Sequence, residues 1–191
     1  MALRGDPPSG EKVFMPYQDR LNHASELVQL IRKVHPECTI GVAGYPETHA
    51  EAPSAKVDMI HLKRKVDSGA DFITTQLFFD NAVYFDFVER ARQAGITVPI
   101  IPGLMCANSL TQAKRFCKMG GTSLPAEFEA RLIEASQNSG VSKPIGIDWM
   151  HAQALELLER GAPGLHLYIL NQAEPAVELM NKLHTAGYYQ K

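Results

Sequence analysis

Apolar residues along the chain alternate between two patterns. Ala24, Leu27, Val28 and Ile31 recur at the i, i+3, i+4, i+7 spacing of one helical face, as do Tyr84, Phe87, Val88 and Ala91, and Ala176, Leu179, Met180 and Leu183. Met59, Leu62 and Val66 mark another helix, and Ile147, Met150, Ala154, Leu157 and Leu158 one more. Between them lie short, almost continuously apolar runs: TIGVAGY (39–45), FITTQLFF (72–79), VPIIPG (98–103) and GLHLYIL (164–170). Such runs, bounded by Gly, Pro and Asp, predict strands buried on both faces. The stretch 104–146 is less regular; it predicts helices over 110–118 and 125–136 and a Gly/Ser/Pro loop over 138–146.

Alternating strands and helices imply a parallel sheet with right-handed crossovers. An open doubly wound sheet and a β/α barrel both fit. No GxGxxG or GxxxxGK[ST] stretch occurs, and GVAGYP has the wrong spacing and leads into a loop. In a barrel, chemistry sits at the C-terminal ends of the strands, which is where the unusual residues lie: Arg4-Gly5-Asp6, Tyr45 to His49, Gln76 and Asn171. A complete barrel takes roughly 250 residues and eight strands. These 191 residues predict four complete βα units and, in Ala2-Leu3-Arg4, the stub of one earlier strand. The expectation is a single-domain α/β fold over 1–191, the C-terminal portion of a TIM-type (β/α)8 barrel whose N-terminal strands are absent.

Composition narrows the partners. With 19 basic and 21 acidic residues, the net charge of −2 argues against nucleic acid or an anionic membrane as the main partner. Cys38, Cys106 and Cys117 form no CxxC pair and no zinc spacing, as expected of free thiols in a reducing compartment. Without a membrane-span run or a signal-peptide core, the sequence predicts a soluble, cytoplasmic protein.

The candidate residues admit two readings each. Asp6, before Pro7-Pro8, is a turn residue or a carboxylate that stabilises positive charge in a ligand. Gln76, inside an apolar strand, is a satisfied core amide or a ligand contact. Tyr45 and His49 flank a strand end and face the barrel mouth. Asp58, His61 and Lys65 share one side of a helix, as a solvated face or as a stripe for ribose and phosphate groups. Phe116 has the spacing of a core aromatic. No GxSxG, no HExxH and no paired catalytic carboxylates occur. An aldolase would place a lysine at a strand's C-terminal end, and none of the four ends has one.

At ALRGD, GVAGYPETH and LKRKVDSGADFITTQLFFD, continuing through GITVPIIPGL and GLHLYILN, the chain resembles the methylenetetrahydrofolate reductase family. The resemblance implies an FAD-containing β/α barrel of one-carbon and methionine metabolism. Such an oxidoreductase passes a hydride from NADH or NADPH through flavin to 5,10-methylenetetrahydrofolate, giving 5-methyltetrahydrofolate. By matching motif, it assigns the flavin to Arg4, Gly5, Asp6, Ala24, Tyr45, His49, Ala52, Asp58, His61, Arg64 and Lys65. Asp6 is the implied catalytic carboxylate beside flavin and folate. Gln76 is implied to bond folate and the nicotinamide side, and Phe116 to stack on whichever substrate is bound.

The chain departs from the family pattern in places. The family's proton-donating glutamate lies on a first strand with no counterpart here. Gln172 stands where an arginine helps to hold folate, and Ile169 where threonine is usual. Met105-Cys106 replaces a turn that commonly contains proline. The partners implied are folate, a nicotinamide nucleotide, and a second copy or a missing N-terminal half. Residues 1–191 alone are expected to bind FAD weakly and not to turn over; the competing expectation is a non-catalytic half-barrel or interaction module.

Overall fold

A computed structural model of the chain describes residues 1–5, 21–138 and 143–189. Among these residues four parallel strands lie in the order β1 (Gly41–Gly44), β2 (Phe72–Leu77), β3 (Ile100–Leu104) and β4 (His166–Leu167). Ala2 adds a single parallel bridge to Val42 at the β1 edge, with its N–H donating to the Gly41 carbonyl at 2.8 Å. Chain order equals spatial order, as in a run of βα units that wind in one direction.

Among the described residues there are seven helices, α7 following the last strand: α1 (Ala24–Val34), α2 (Ala55–Asp67), α3 (Asn81–Gln93), α4 (Leu110–Gly120), α5 (Ala126–Asn138), α6 (Lys143–Glu159) and α7 (Glu174–Thr185). Their starts follow the side-chain chemistry. Ser54, Asp80 and Ser109 cap α2, α3 and α4 by accepting hydrogen bonds from free first-turn N–H groups.

One face of the sheet is closed and the other is open. A Cβ on Gly44 would meet Ile73 and Phe87 of α3, so Ile73 points to the helices. That side holds the main core, including Val28, Val42, Phe87, Ile100, Leu104, Leu157 and Leu183. Strand alternation turns Phe72, Thr74 and Gln76 to the opposite side, where Ile101 pairs with Thr74. Phe72 and Ile101 are only half-buried there and His166 is exposed, so no second layer covers this face among the described residues. A second cluster, built on Leu77, Phe79, Met105, Phe128 and Leu132, sits under α4 to α6.

Two features depart from the sequence reading. The loop expected over 138–146 is largely helical: α6 begins at Lys143, and residues 139–142 lie outside the described set. Pro144 and Gly146 read as loop signals, yet proline is tolerated in a helix's first turn. Gly146 is required by a close approach, because a Cβ there would stand 2.0 Å from the Ala107 carbonyl oxygen. Gly146→Ala is therefore expected to lower the unfolding free energy by about 1–3 kcal/mol in urea titrations. The run 164–170 yields only the two residues of β4, paired to β3 alone.

Candidate functional site

The β1 motif builds a cavity at the sheet's C-terminal end. After Gly44 the chain leaves the strand as Tyr45-Pro46-Glu47-Thr48-His49, and α2 follows behind its Ser54 cap. The loop is closely determined. His49 N–H donates to the Asp58 carboxylate at 3.0 Å, and His49 Nδ1 accepts from Glu51 N–H at 3.1 Å. The His49 and Tyr45 rings meet edge to face at 4.5 Å. Thr48 holds a φ of 78°, an expensive conformation for a β-branched residue. Leu170 and Asn171, in the loop after β4, also have positive φ. Three of the four non-glycine residues with positive φ among the described residues thus lie in loops that follow strand ends, and the fourth, Tyr189, lies beyond α7. Thr48→Gly is expected to raise stability by about 1 kcal/mol in urea unfolding.

The cavity measures about 300 Å³ and takes its walls from the Ala2 stub, the start of α1, the β1 loop and α2. Arg4 and Ala24 line one side, and Tyr45, His49 and Ala52 another. Asp58, His61, Arg64 and Lys65 close it from the helix. Nine of the residues assigned to flavin by resemblance are therefore brought together. Gly5 is not on the lining, and Asp6 lies outside the described residues.

Lys65 dominates the cavity's electrostatics. Its ammonium donates to the Ala43 carbonyl and sits 5.8 Å from the centre of the Tyr45 ring. Burial pulls its pKa from the usual 10.5 down to about 8, against the opposing pull of Asp58. Arg4 makes a bidentate pair with Glu51 at 2.8 Å for each contact, which ties the strand stub to the β1 loop and holds the Glu51 carboxyl below its ordinary range.

The substrate-side residues are less closely assembled. Phe116 and Gln172 line a depression of about 20 Å³ beside β4, with Gln112 and Tyr168. That volume holds little more than a water. Gln172 accepts from the Asn108 amide at 3.0 Å, and Phe116 is packed at 7% exposure against the second apolar cluster. Gln76 is on neither lining; its Oε1 accepts from its neighbour Leu77 N–H at 2.9 Å, and its chain lies against Gly120.

Sequence reading did not single out two features of this end of the sheet. Gln112, on the depression's lining, accepts from Asn108 N–H at 2.6 Å. Glu47 accepts from Ser123 N–H through both carboxylate oxygens, at 3.0 and 2.9 Å. That bond ties the cavity's loop to the turn after α4. Nothing local signals it, because the partners are 76 residues apart in the chain.

Two other features carry no comparable chemistry. A groove of about 790 Å³ is lined only by helix residues and the Ser68 and Ala94 caps, and by no residue of the loops that follow the strands. Burial pushes the Cys106 thiol up to about 12, which keeps it protonated and unreactive at neutral pH. Among the described residues no helix is long and apolar enough to cross a membrane.

Comparison with known proteins agrees with the motifs. Residues 1–184 match the sequence pattern of the family described as methylenetetrahydrofolate reductase. The chain is 38% identical to "Methylenetetrahydrofolate reductase (NADH) 1" of Arabidopsis thaliana, over 96% of this chain and 33% of that protein. It is 38% identical to "5,10-methylenetetrahydrofolate reductase" of Escherichia coli, over 98% of this chain and 60% of that protein. A Caenorhabditis elegans relative, "Probable methylenetetrahydrofolate reductase (NADPH)", is 35% identical over 96% of this chain and 28% of its own length. The chain thus spans between about a quarter and three-fifths of these relatives. Among solved structures, its fold is similar to a Clostridium thermocellum protein described as binding two copies of 5-methyl-5,6,7,8-tetrahydrofolic acid. The TM-score is 0.62 at 20% identity, over 86% of this chain and 60% of that one. From residue 1 to residue 184, the chain belongs to the methylenetetrahydrofolate reductase family.

Proposed function

We propose that the intact protein reduces 5,10-methylenetetrahydrofolate to 5-methyltetrahydrofolate with NADH or NADPH, using FAD held in the cavity between the β1 loop and α2. The observation that carries this reading is the donor set of that cavity. A buried lysine, two arginines and three histidines, set against the carboxylates of Asp58 and Glu51, suit a diphosphate and a ribose. At about 300 Å³ the cavity is at the low end for small-molecule sites. It accommodates part of a dinucleotide, and the remainder falls to strands outside this chain.

The residues divide the work. Lys65 and Arg64 neutralise phosphate charge, and Asp58 holds the His49 loop while keeping Lys65 protonated. Bound flavin supplies the hydride relay between two substrates that never meet. The balanced reaction takes one hydride from NAD(P)H and one proton, and adds both to the folate. Asp6 is the carboxylate proposed to stabilise the cationic form of that folate. Phe116 offers a stacking surface and Gln76 an amide at the β2 end, and neither forms a substrate-sized opening here.

The names of the relatives print both NADH and NADPH, and the Clostridium thermocellum protein binds a methylated folate. A second reading, a non-catalytic half-barrel, is favoured by the uncovered sheet face and the small depression. Steady-state oxidation of NADH and of NADPH, with methylenetetrahydrofolate as acceptor, separates the two. Folate-dependent oxidation by the completed barrel supports the reductase; its absence from a folded, flavin-loaded barrel overturns it.

A further inference from the structure

The loop after β1 faces two ways. Tyr45 and His49 line the cavity, whereas Glu47 between them is not on its lining. The Glu47 carboxylate turns aside and accepts the Ser123 N–H through both oxygens, at 3.0 and 2.9 Å. An ionised acceptor makes this one of the stronger kinds of hydrogen bond. The rest of the loop leaves Glu47 little freedom. Arg90 of α3 donates to the Pro46 carbonyl at 3.0 Å, and Thr48 N–H donates to the Tyr45 carbonyl at 3.1 Å.

The turn that receives Glu47, residues 120–123, lies on the substrate side. It ends α4, with Gly121 in the left-handed region and Thr122 N–H donating to the Cys117 carbonyl at 3.0 Å. A Cβ on Gly120 would stand 3.5 Å from the Gln76 side chain, so that side chain rests on the turn. One helical turn earlier, α4 carries Phe116. The Glu47 charge is also felt on α4, where it adds to burial in pushing the Cys117 thiol up. The same short turn therefore touches the cavity's loop through Ser123 and Gln76 through Gly120.

We propose that Glu47 is a positioning residue: through Ser123 it makes the placement of Gln76 and Phe116 depend on what occupies the cavity. This role rests on the reading above, in which flavin fills the cavity and folate meets Gln76 and Phe116. A ligand that orders Tyr45 and His49 orders Glu47 with them, and the bond to Ser123 passes that order to the turn. Coupling of this kind is reciprocal, so a substrate held by Gln76 and Phe116 tightens flavin in return.

The test reads hydrogen exchange of the full chain with and without saturating FAD, in the parent, Glu47→Ala and Glu47→Gln. Flavin fluorescence sets equal occupancy in all three. In the parent, FAD is expected to slow exchange across residues 116–123 by at least about 5-fold, the low end for coupled sites. Glu47→Ala should bind FAD yet show no such slowing. Glu47→Gln keeps one carbonyl oxygen for the Ser123 N–H and should restore most of it. A purely structural role for Glu47 predicts a different pattern: the alanine variant would loosen the turn equally with and without FAD and keep the response. Should Glu47→Ala fail to fold by circular dichroism, the parent and Glu47→Gln still decide. Bound FAD with an unchanged turn in the parent overturns the inference alone, as does a full response in Glu47→Ala or none in Glu47→Gln. A parent that binds no FAD overturns the proposed function, and the role of Glu47 falls with it.

Discussion

Replacing Lys65 by methionine should stabilise the folded chain near neutral pH. The folded state holds Lys65 at about 8, against the ordinary 10.5 of an unfolded chain. Below pH 8 both states are protonated, and the folded state bears the full cost of a buried ammonium. Between 8 and 10.5 the unfolded chain keeps a proton that the folded chain has released, so stability rises with pH across that window. The cost below pH 8 is on the order of 3 kcal/mol, at 1.36 kcal/mol for each unit. Methionine fills the space without the charge but orphans the Ala43 carbonyl, which returns about 1 kcal/mol. A net gain of about 2 kcal/mol is expected at pH 7. Urea unfolding at pH 7, 8, 9 and 10 should show stability rising for the parent chain and no comparable rise for the variant. Equal profiles would mean that Lys65 is solvated in solution. On the function proposed above, a phosphate in the cavity would offset that cost.

The largest loss of stability is expected from Phe87→Ala. Phe87 is 2% exposed and packs α3 onto β1, where Gly44 leaves room for its ring. Truncation removes the apolar contact and leaves a cavity, at a cost of about 3–5 kcal/mol. That is a large share of a domain stability of about 5–15 kcal/mol. The effect should reach the site, because Gly44 immediately precedes Tyr45. Hydrogen exchange is expected to speed up most in residues 44–49 and in α3, and a uniform change across the sheet would argue against this local coupling.

Most of the architecture was legible in the sequence, and the failures have physical causes. The apolar spacings at 24–31, 84–91 and 176–183 fall within α1, α3 and α7, because those helices bury one face and the stripe must repeat every turn. The start of α6 was misread because Pro144 and Gly146 serve a first turn and a close contact with Ala107. β4 is shorter than its apolar run because hydrogen bonds on one side only hold it. At the site, matching motifs located nine residues that share one cavity. The burial of Lys65 was not legible, since a lysine at helical spacing looks the same on a wet face. Nor was the Glu47–Ser123 bond, which depends on how two distant loops meet.

The central claim is that the cavity between the β1 loop and α2 holds the flavin dinucleotide. Fluorescence titration of FAD, into the parent chain and the Lys65→Met variant, tests it most directly. The account predicts saturable quenching that ADP competes away, weakened at least about 10-fold in the variant by loss of a charge-assisted contact. Quenching that never saturates, or an affinity unchanged by removing the Lys65 charge, would contradict it.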